Sequence, residues 1–403
     1  MKTGRIESID IIRGLTILVM IFVNDLSGVV NVPAWMKHAT SMYNMMTFVD
    51  WVFPGFLFIV GMSIPFSIGR RIEKSEDKYS IWKHILIRVT GLLILGFYMV
   101  NGDSISDEGI LNPHLWVLLM YVFAIIVWNR NNDGKYFFSK KLIKYAAAAG
   151  LIILIFFYTN RNQTGLMQMR PYWWGILGLI GWAYLCACLF YIPLRKNQPA
   201  LIGGVILLYC FYMACEAGML GSIGGFMNLG FTFGSHTGII LTGAILGNQI
   251  LENLDNPDHI KILKWAYGFS IFLLITALLL YQLKDVHKVF LISKNQGTVP
   301  WCLLSSAFTI WIWMAIYWMA DMKGLGSWFK IIEPAGKNPL FAYILAPLVG
   351  ECFALAALAF NGFNFYEWLG ESFYVGLLRS VAIAFSMTWL AGYLSKKGLQ
   401  LRL

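Results

Sequence analysis

Twelve apolar stretches, each nearly free of charge, recur along this chain and leave few folds open to it. They fall at about residues 9–27, 47–69, 83–101, 114–129, 142–160, 172–194, 199–219, 236–251, 262–283, 299–321, 338–360 and 372–394. Most reach the roughly 20 residues that a helix needs to cross the ~30 Å hydrocarbon core of a bilayer. A water-soluble fold has no core large enough to bury them all. Of the 403 residues 58% are hydrophobic and 13% charged, and the mean hydropathy is +0.64; soluble domains carry about 25% charge. The runs are continuous and do not alternate between faces, which favours helices over barrel strands. The sequence therefore predicts an all-α, polytopic integral membrane helix bundle of 10–12 spans, a single domain over residues 1–403. Within it, 1–129, a middle region 130–283 and a C-terminal region 284–403 are distinguished by their motifs.

Loop charges orient such a bundle, because cytoplasmic connections collect Lys and Arg. With the N-terminus inside, those connections hold Lys2, Arg5 and Arg13, then Arg70, Arg71, Lys74, Lys78 and Lys83. Arg130, Lys135, Lys140, Lys141 and Lys144 follow, then Arg195, Lys196, Lys261 and Lys264, and finally Lys323, Lys330, Lys337, Lys396, Lys397 and Arg402. The opposite face has only Lys37, Arg161, Arg170, Lys284, Lys288 and Lys294. Both termini are thus expected in the cytoplasm. The net charge of +10 is absorbed by this bias and calls for no nucleic-acid partner. The six cysteines lie inside apolar segments with no CxxC pair, as small packing residues do. No loop exceeds about twenty residues, so any activity must be built by the helices themselves.

The ionisable groups at span ends are the chemically informative ones. His38 precedes the second span and Asp50 opens it; a carboxylate facing an imidazole fixes its tautomer and raises its basicity, as a general base requires. In the first span Asp10 and Arg13 are three residues apart, on one helix face, and can pair. Asn24 lies fourteen residues beyond Asp10, about 21 Å along the helix axis. His114, with Asp103, Asp107 and Glu108 before it, His236 and the stretch SKNQGTVPW at 293–301 are expected on the same outer face as His38. The histidines are scattered without HxxxH or HxxE spacing, so no metal site is expected. A Walker loop and a post-strand GxGxxG are both missing from the sequence.

Several segments together have a family look. RIESIDIIRGLTILVMIFVN followed by KHA, then FVDWVFPGFLFIVGMSIPFS, resembles the opening of the heparan-α-glucosaminide N-acetyltransferase family of transmembrane acyltransferases. ISKNQGTVPWCLLSSAF, DMKGLGSWF and GKNPLFAYIL are similar to that family's C-terminal half, in the same order. The resemblance covers about residues 5–100 and 285–350. It implies transfer of acetyl from cytoplasmic acetyl-CoA, a co-substrate, to the amine of a glucosamine-type sugar across the membrane. By the same resemblance His38 is the catalytic histidine, with Asn24 and Asp50 as catalytic partners, while Asp10, Arg13, Asn295 and Asn338 are cofactor-binding positions. A homodimer is implied too, and the short chain suits the inner membrane of a bacterium. This chain departs from the family where a PGVLQR-type element would stand, reading GILNPHLWVLLMYV instead. Its middle carries two additional apolar segments, and the Asn24–His38 and His38–Asp50 spacings are longer. These departures bear on the acceptor more than on the reaction. Two other readings stay open: an O-acetyltransferase of a cell-surface glycan, and a twelve-span sugar transporter, against which stands the want of an internal repeat.

Overall fold

The computed structural model describes residues 6–39, 44–129, 141–160, 168–172, 174–221, 228–253 and 258–401. Of the loop cations above, Lys2, Arg5, Arg130, Lys135, Lys140, Arg161 and Arg402 lie outside the described residues.

Every expected apolar stretch forms a helix. In chain order these are α1 (Glu7–Leu26), α2 (Phe48–Glu73), α3 (Lys78–Gly102), α4 (Pro113–Trp128), α5 (Lys141–Phe156) and α6 (Gly175–Leu194). The rest are α7 (Gln198–Glu216), α8 (Thr237–Glu252), α9 (His259–Tyr281), α10 (Val299–Met322), α11 (Pro339–Ala359) and α12 (Phe373–Lys396). Among the described residues the only strand-like pairings are two isolated bridges. Among the described residues eight helices, α2, α3, α6, α7 and α9 to α12, are long and apolar enough to cross a membrane. The expectation was about twelve, and the difference has physical causes. At 16 residues each, α4 and α5 extend about 24 Å, short of the ~30 Å hydrocarbon core. Helix α8 continues directly from a π-helical segment over Gly230–His236, and His236, Asn248 and Gln249 dilute its apolar run. In α1, Glu7, Asp10, Arg13 and Asp25 interrupt the apolar run.

The chain forms two compact units. The first comprises residues 1–16, 33–89 and 179–330, the second 17–32, 90–178 and 331–403, so the division falls inside α1, α3 and α6. In the first unit α2 and α8 pack backbone to backbone. A Cβ at Gly61 would collide with the Ile240 carbonyl, and one at Gly243 with the Phe58 carbonyl. A Cβ at Gly247 would come within 2.5 Å of the Met62 carbonyl oxygen. Small residues on facing helices allow the close approach that substitutes for a hydrophobic driving force inside lipid. Trp301 and Trp313 of α10 are fully buried in the same unit. In the second unit α4 packs against α5 and α11, and α11 against α12.

Candidate active site

Asp50 is the fixed point of the first unit's site. Thr47 precedes α2, and its backbone N–H donates to Asp50 Oδ2 at 3.1 Å, tying the carboxylate to the helix start. The Ala39 N–H donates to the same oxygen at 3.1 Å. His38 Nδ1 donates to Asp50 Oδ1 at 2.8 Å. The Asp50 side chain is 1% exposed and that of His38 is 46% exposed. A carboxylate this deep is tolerable because three N–H donors surround it. With Nδ1–H committed to Asp50, Nε2 is the ring's basic nitrogen.

The D-x-V-F-P element also explains its proline. Pro54 has no N–H for the carbonyl four residues back, which belongs to Asp50. Trp301 Nε1–H fills that role, donating to the Asp50 carbonyl at 3.2 Å. A residue 251 positions away thereby fastens the backbone under the carboxylate.

Lys294, which sequence reasoning missed, completes the array. Its Nζ lies 3.0 Å from His38 Nδ1 and 3.3 Å from Nε2. Because the Nδ1 proton points at Asp50, the ammonium's hydrogen bond falls to Nε2. Burial pushes the Lys294 ammonium below the usual lysine range, and the nearby Asp50 carboxylate works in the opposite direction. The SKNQGT stretch holds this lysine in place. Ser293 N–H donates to Thr298 Oγ1 at 3.0 Å, Gly297 N–H to the Lys294 carbonyl at 3.0 Å, and Tyr212 Oη–H to the Gln296 carbonyl at 3.0 Å. Gly297 sits at φ +63°, a left-handed conformation open to glycine at little cost. Asn295, the position singled out from sequence, approaches the same loop, its Nδ2 3.4 Å from the Ala39 carbonyl.

The remaining sequence-predicted residues lie elsewhere. Asp10 and Arg13 pair as expected at 3.3 Å, and Arg13 Nη2 also donates to Ser63 Oγ of α2 at 2.6 Å. Asn338 is 3% exposed in the second unit. Its Nδ2 donates to Ser395 Oγ at 2.9 Å and the Leu399 carbonyl at 3.1 Å, while its Oδ1 accepts from Leu401 N–H at 3.2 Å. That amide ties the C-terminal end down. Asn24 also belongs to the second unit, where it lines a cavity beside Asp25 and lies against the Tyr343 hydroxyl. His236 is a core histidine, 1% exposed, with Nδ1 donating to the Phe231 carbonyl at 2.6 Å. Among the described residues no three His, Cys, Asp or Glu side chains gather as metal ligands.

Residues 5–223 match the family described as Domain of unknown function (DUF5009). The chain belongs to the DUF5009 family. This DUF5009 member is also similar to heparan-alpha-glucosaminide N-acetyltransferase from Homo sapiens, 35% identical over 98 residues, and from Mus musculus, 34% identical over 101 residues. These alignments take in 24% and 25% of the chain. The chain spans about 14% of the length of those curated relatives.

Proposed function

We propose that this DUF5009 protein is a transmembrane N-acetyltransferase that moves acetyl from cytoplasmic acetyl-CoA to the amine of a glucosamine-type sugar on the extracytoplasmic side. The observation that carries the reading is the Asp50–His38 pair, whose 2.8 Å hydrogen bond at Nδ1 leaves Nε2 as the basic nitrogen. Local similarity to named acetyltransferases adds to it. In this scheme the acceptor amine attacks the acetyl carbonyl, the carbon–sulfur bond breaks, and coenzyme A leaves as thiolate. His38 Nε2 takes the proton released by the amine and returns it to the departing sulfur. Asp50 holds the tautomer and steadies the imidazolium. Lys294 occupies Nε2 at rest and gives way to the acceptor. Asn24, matched by the resemblance, is the donor this scheme gives to the developing oxyanion, a role worth roughly 3–4 kcal/mol in other enzymes. Arg13, oriented by Asp10 and Ser63, would meet the phosphates of the nucleotide. Asn295 remains a donor-side candidate, whereas a nucleotide at Asn338 would have to displace the bonds to Ser395, Leu399 and Leu401.

The reading keeps a twelve-span bundle with both termini cytoplasmic, a bacterial inner membrane and a homodimer as its setting. Purified protein supplied with radiolabelled acetyl-CoA and a panel of amino sugars tests it. An amide product is expected; an ester product would favour glycan O-acetylation, and no product would favour a carrier. His38→Ala should abolish transfer, and Asp50→Asn should lower kcat by about 10²–10⁴-fold, both with folded protein still in the membrane. Near-normal turnover in His38→Ala removes the histidine from the mechanism. Label trapped on the protein without acceptor would replace direct transfer by an acetyl-histidine route.

A further inference from the structure

In the first unit's site an amine already stands against the base. Lys294 Nζ lies 3.0 Å from His38 Nδ1 and 3.3 Å from Nε2, close to the reach a general base needs of the group it deprotonates. Among the described residues no carboxylate is paired directly with this lysine, because the oxygens of Asp50 are taken by His38, Ala39 and Thr47. Two lysines on the same connection are placed differently. Lys288 Nζ lies 4.0 Å from a Glu216 carboxylate oxygen, and Lys284 sits over the Tyr281 ring at 5.0 Å.

The backbone keeps Lys294 at that position. Asn295 Nδ2 reaches the Ala39 carbonyl at 3.4 Å, which ties the lysine's loop to the residue after His38. Gly297 N–H closes a turn on the Lys294 carbonyl at 3.0 Å, and Tyr212 Oη–H holds Gln296 at 3.0 Å. Burial favours the neutral amine over the ammonium, which is what makes a lysine nucleophilic. A tethered amine also needs no encounter step, whereas a free acceptor must arrive and displace it. The relation between Lys294 and the imidazole is thus the one an acceptor amine would have to reproduce.

We propose, on the acyl-transfer reading of the Asp50–His38 pair, that Lys294 is a self-acetylation site: its amine stands in the acceptor's place and takes the acetyl group when no acceptor is bound. The ammonium first passes one proton through His38 Nε2 to water. The neutral amine then attacks the thioester carbonyl, a carbon–nitrogen bond forms and the carbon–sulfur bond breaks. The second amine proton goes to Nε2 and on to the departing thiolate, so acetyl-CoA and lysine become coenzyme A and an amide. The amide persists, and it leaves a neutral, bulkier group beside Nε2 where the next acceptor has to stand. Self-acetylation is therefore a brake that sets in when acetyl-CoA is supplied without acceptor.

Purified full-length protein given radiolabelled acetyl-CoA and no acceptor tests this. Label should appear on Lys294, block tryptic cleavage after that residue, and survive neutral hydroxylamine, which strips an acetyl-imidazole. Lys284 and Lys288 report uncatalysed acetylation and should lag by about tenfold or more. Lys294→Arg should remove the stable label. His38→Ala, with His38→Gln as a second replacement and Tm in detergent as the check on folding, should slow labelling of Lys294 by about 10²-fold or more. An unmodified Lys294, labelling no faster than at Lys288, or undiminished labelling in folded His38→Ala overturns the proposal. Acetylated Lys294 with no product from the amino-sugar panel leaves it standing and removes the acceptor proposed above. Amino-sugar product with Lys294 unmodified does the reverse, and neither product removes both.

Discussion

Lys294 and His38 carry the clearest electrostatic signature at the residue scale. Burial lowers the lysine's folded-state value against the reference of about 10.4. Between that lowered value and about 10.4 the folded chain binds fewer protons than the unfolded chain, so this group makes stability rise with pH across the window. Below the window the full cost of the buried ammonium is felt. Lys294→Met removes the titration. Thermal unfolding in detergent from pH 7 to 10 should show the wild type gaining on the variant as pH rises. A constant difference across that range would mean that Lys294 is not held in the environment described. Single positions in the sequence pointed to half of this site. His38 and Asp50 were legible because ionisable groups at the start of an apolar run are costly without a partner. Lys294 was not, since it stood beside Asn295 in a loop 256 residues from the histidine it touches. Trp301 likewise looks like any apolar helix residue until its indole N–H is found on the Asp50 carbonyl.

Elements explain why the site is rigid. Helices α2 and α8 meet through Gly61, Gly243 and Gly247, with carbonyl oxygens where side chains would stand. Gly243→Leu should therefore separate the helices and destabilise the protein by about 1–3 kcal/mol or more, read as a lowered Tm in detergent. Gly268→Ala in α9, where nothing lies within 4 Å of the added methyl, is the control and should be neutral or slightly stabilising. Equal Tm values for the two variants would contradict the packing described. The GAILG spacing made a close helix approach readable in advance, but not which helix would be approached. That choice belongs to the pairing of Gly243 with Phe58 and of Gly61 with Ile240, residues about 180 positions apart.

For the whole molecule, apolar runs and loop charges set the expectation of a bundle with both ends on one side. Reporter fusions at residue 1 and residue 403 should both report the cytoplasm, and a fusion in the 282–298 connection should report the opposite side. Opposite readings from the two ends would demand an odd number of spans. The two 16-residue helices α4 and α5 are where such a discrepancy would arise.

Composition and periodicity by themselves determined that the chain is helical and built for lipid, because continuous apolar runs admit no other satisfied backbone. They also located the costly polar residues at the ends of those runs. Tertiary structure alone decided what those residues face: Asp50 meets three N–H donors and His38 meets Lys294. The physical reason is range. Helix formation and lipid preference are read over neighbouring residues, whereas a hydrogen bond needs its two atoms within about 3 Å, and only folding brings positions 38 and 294 that close.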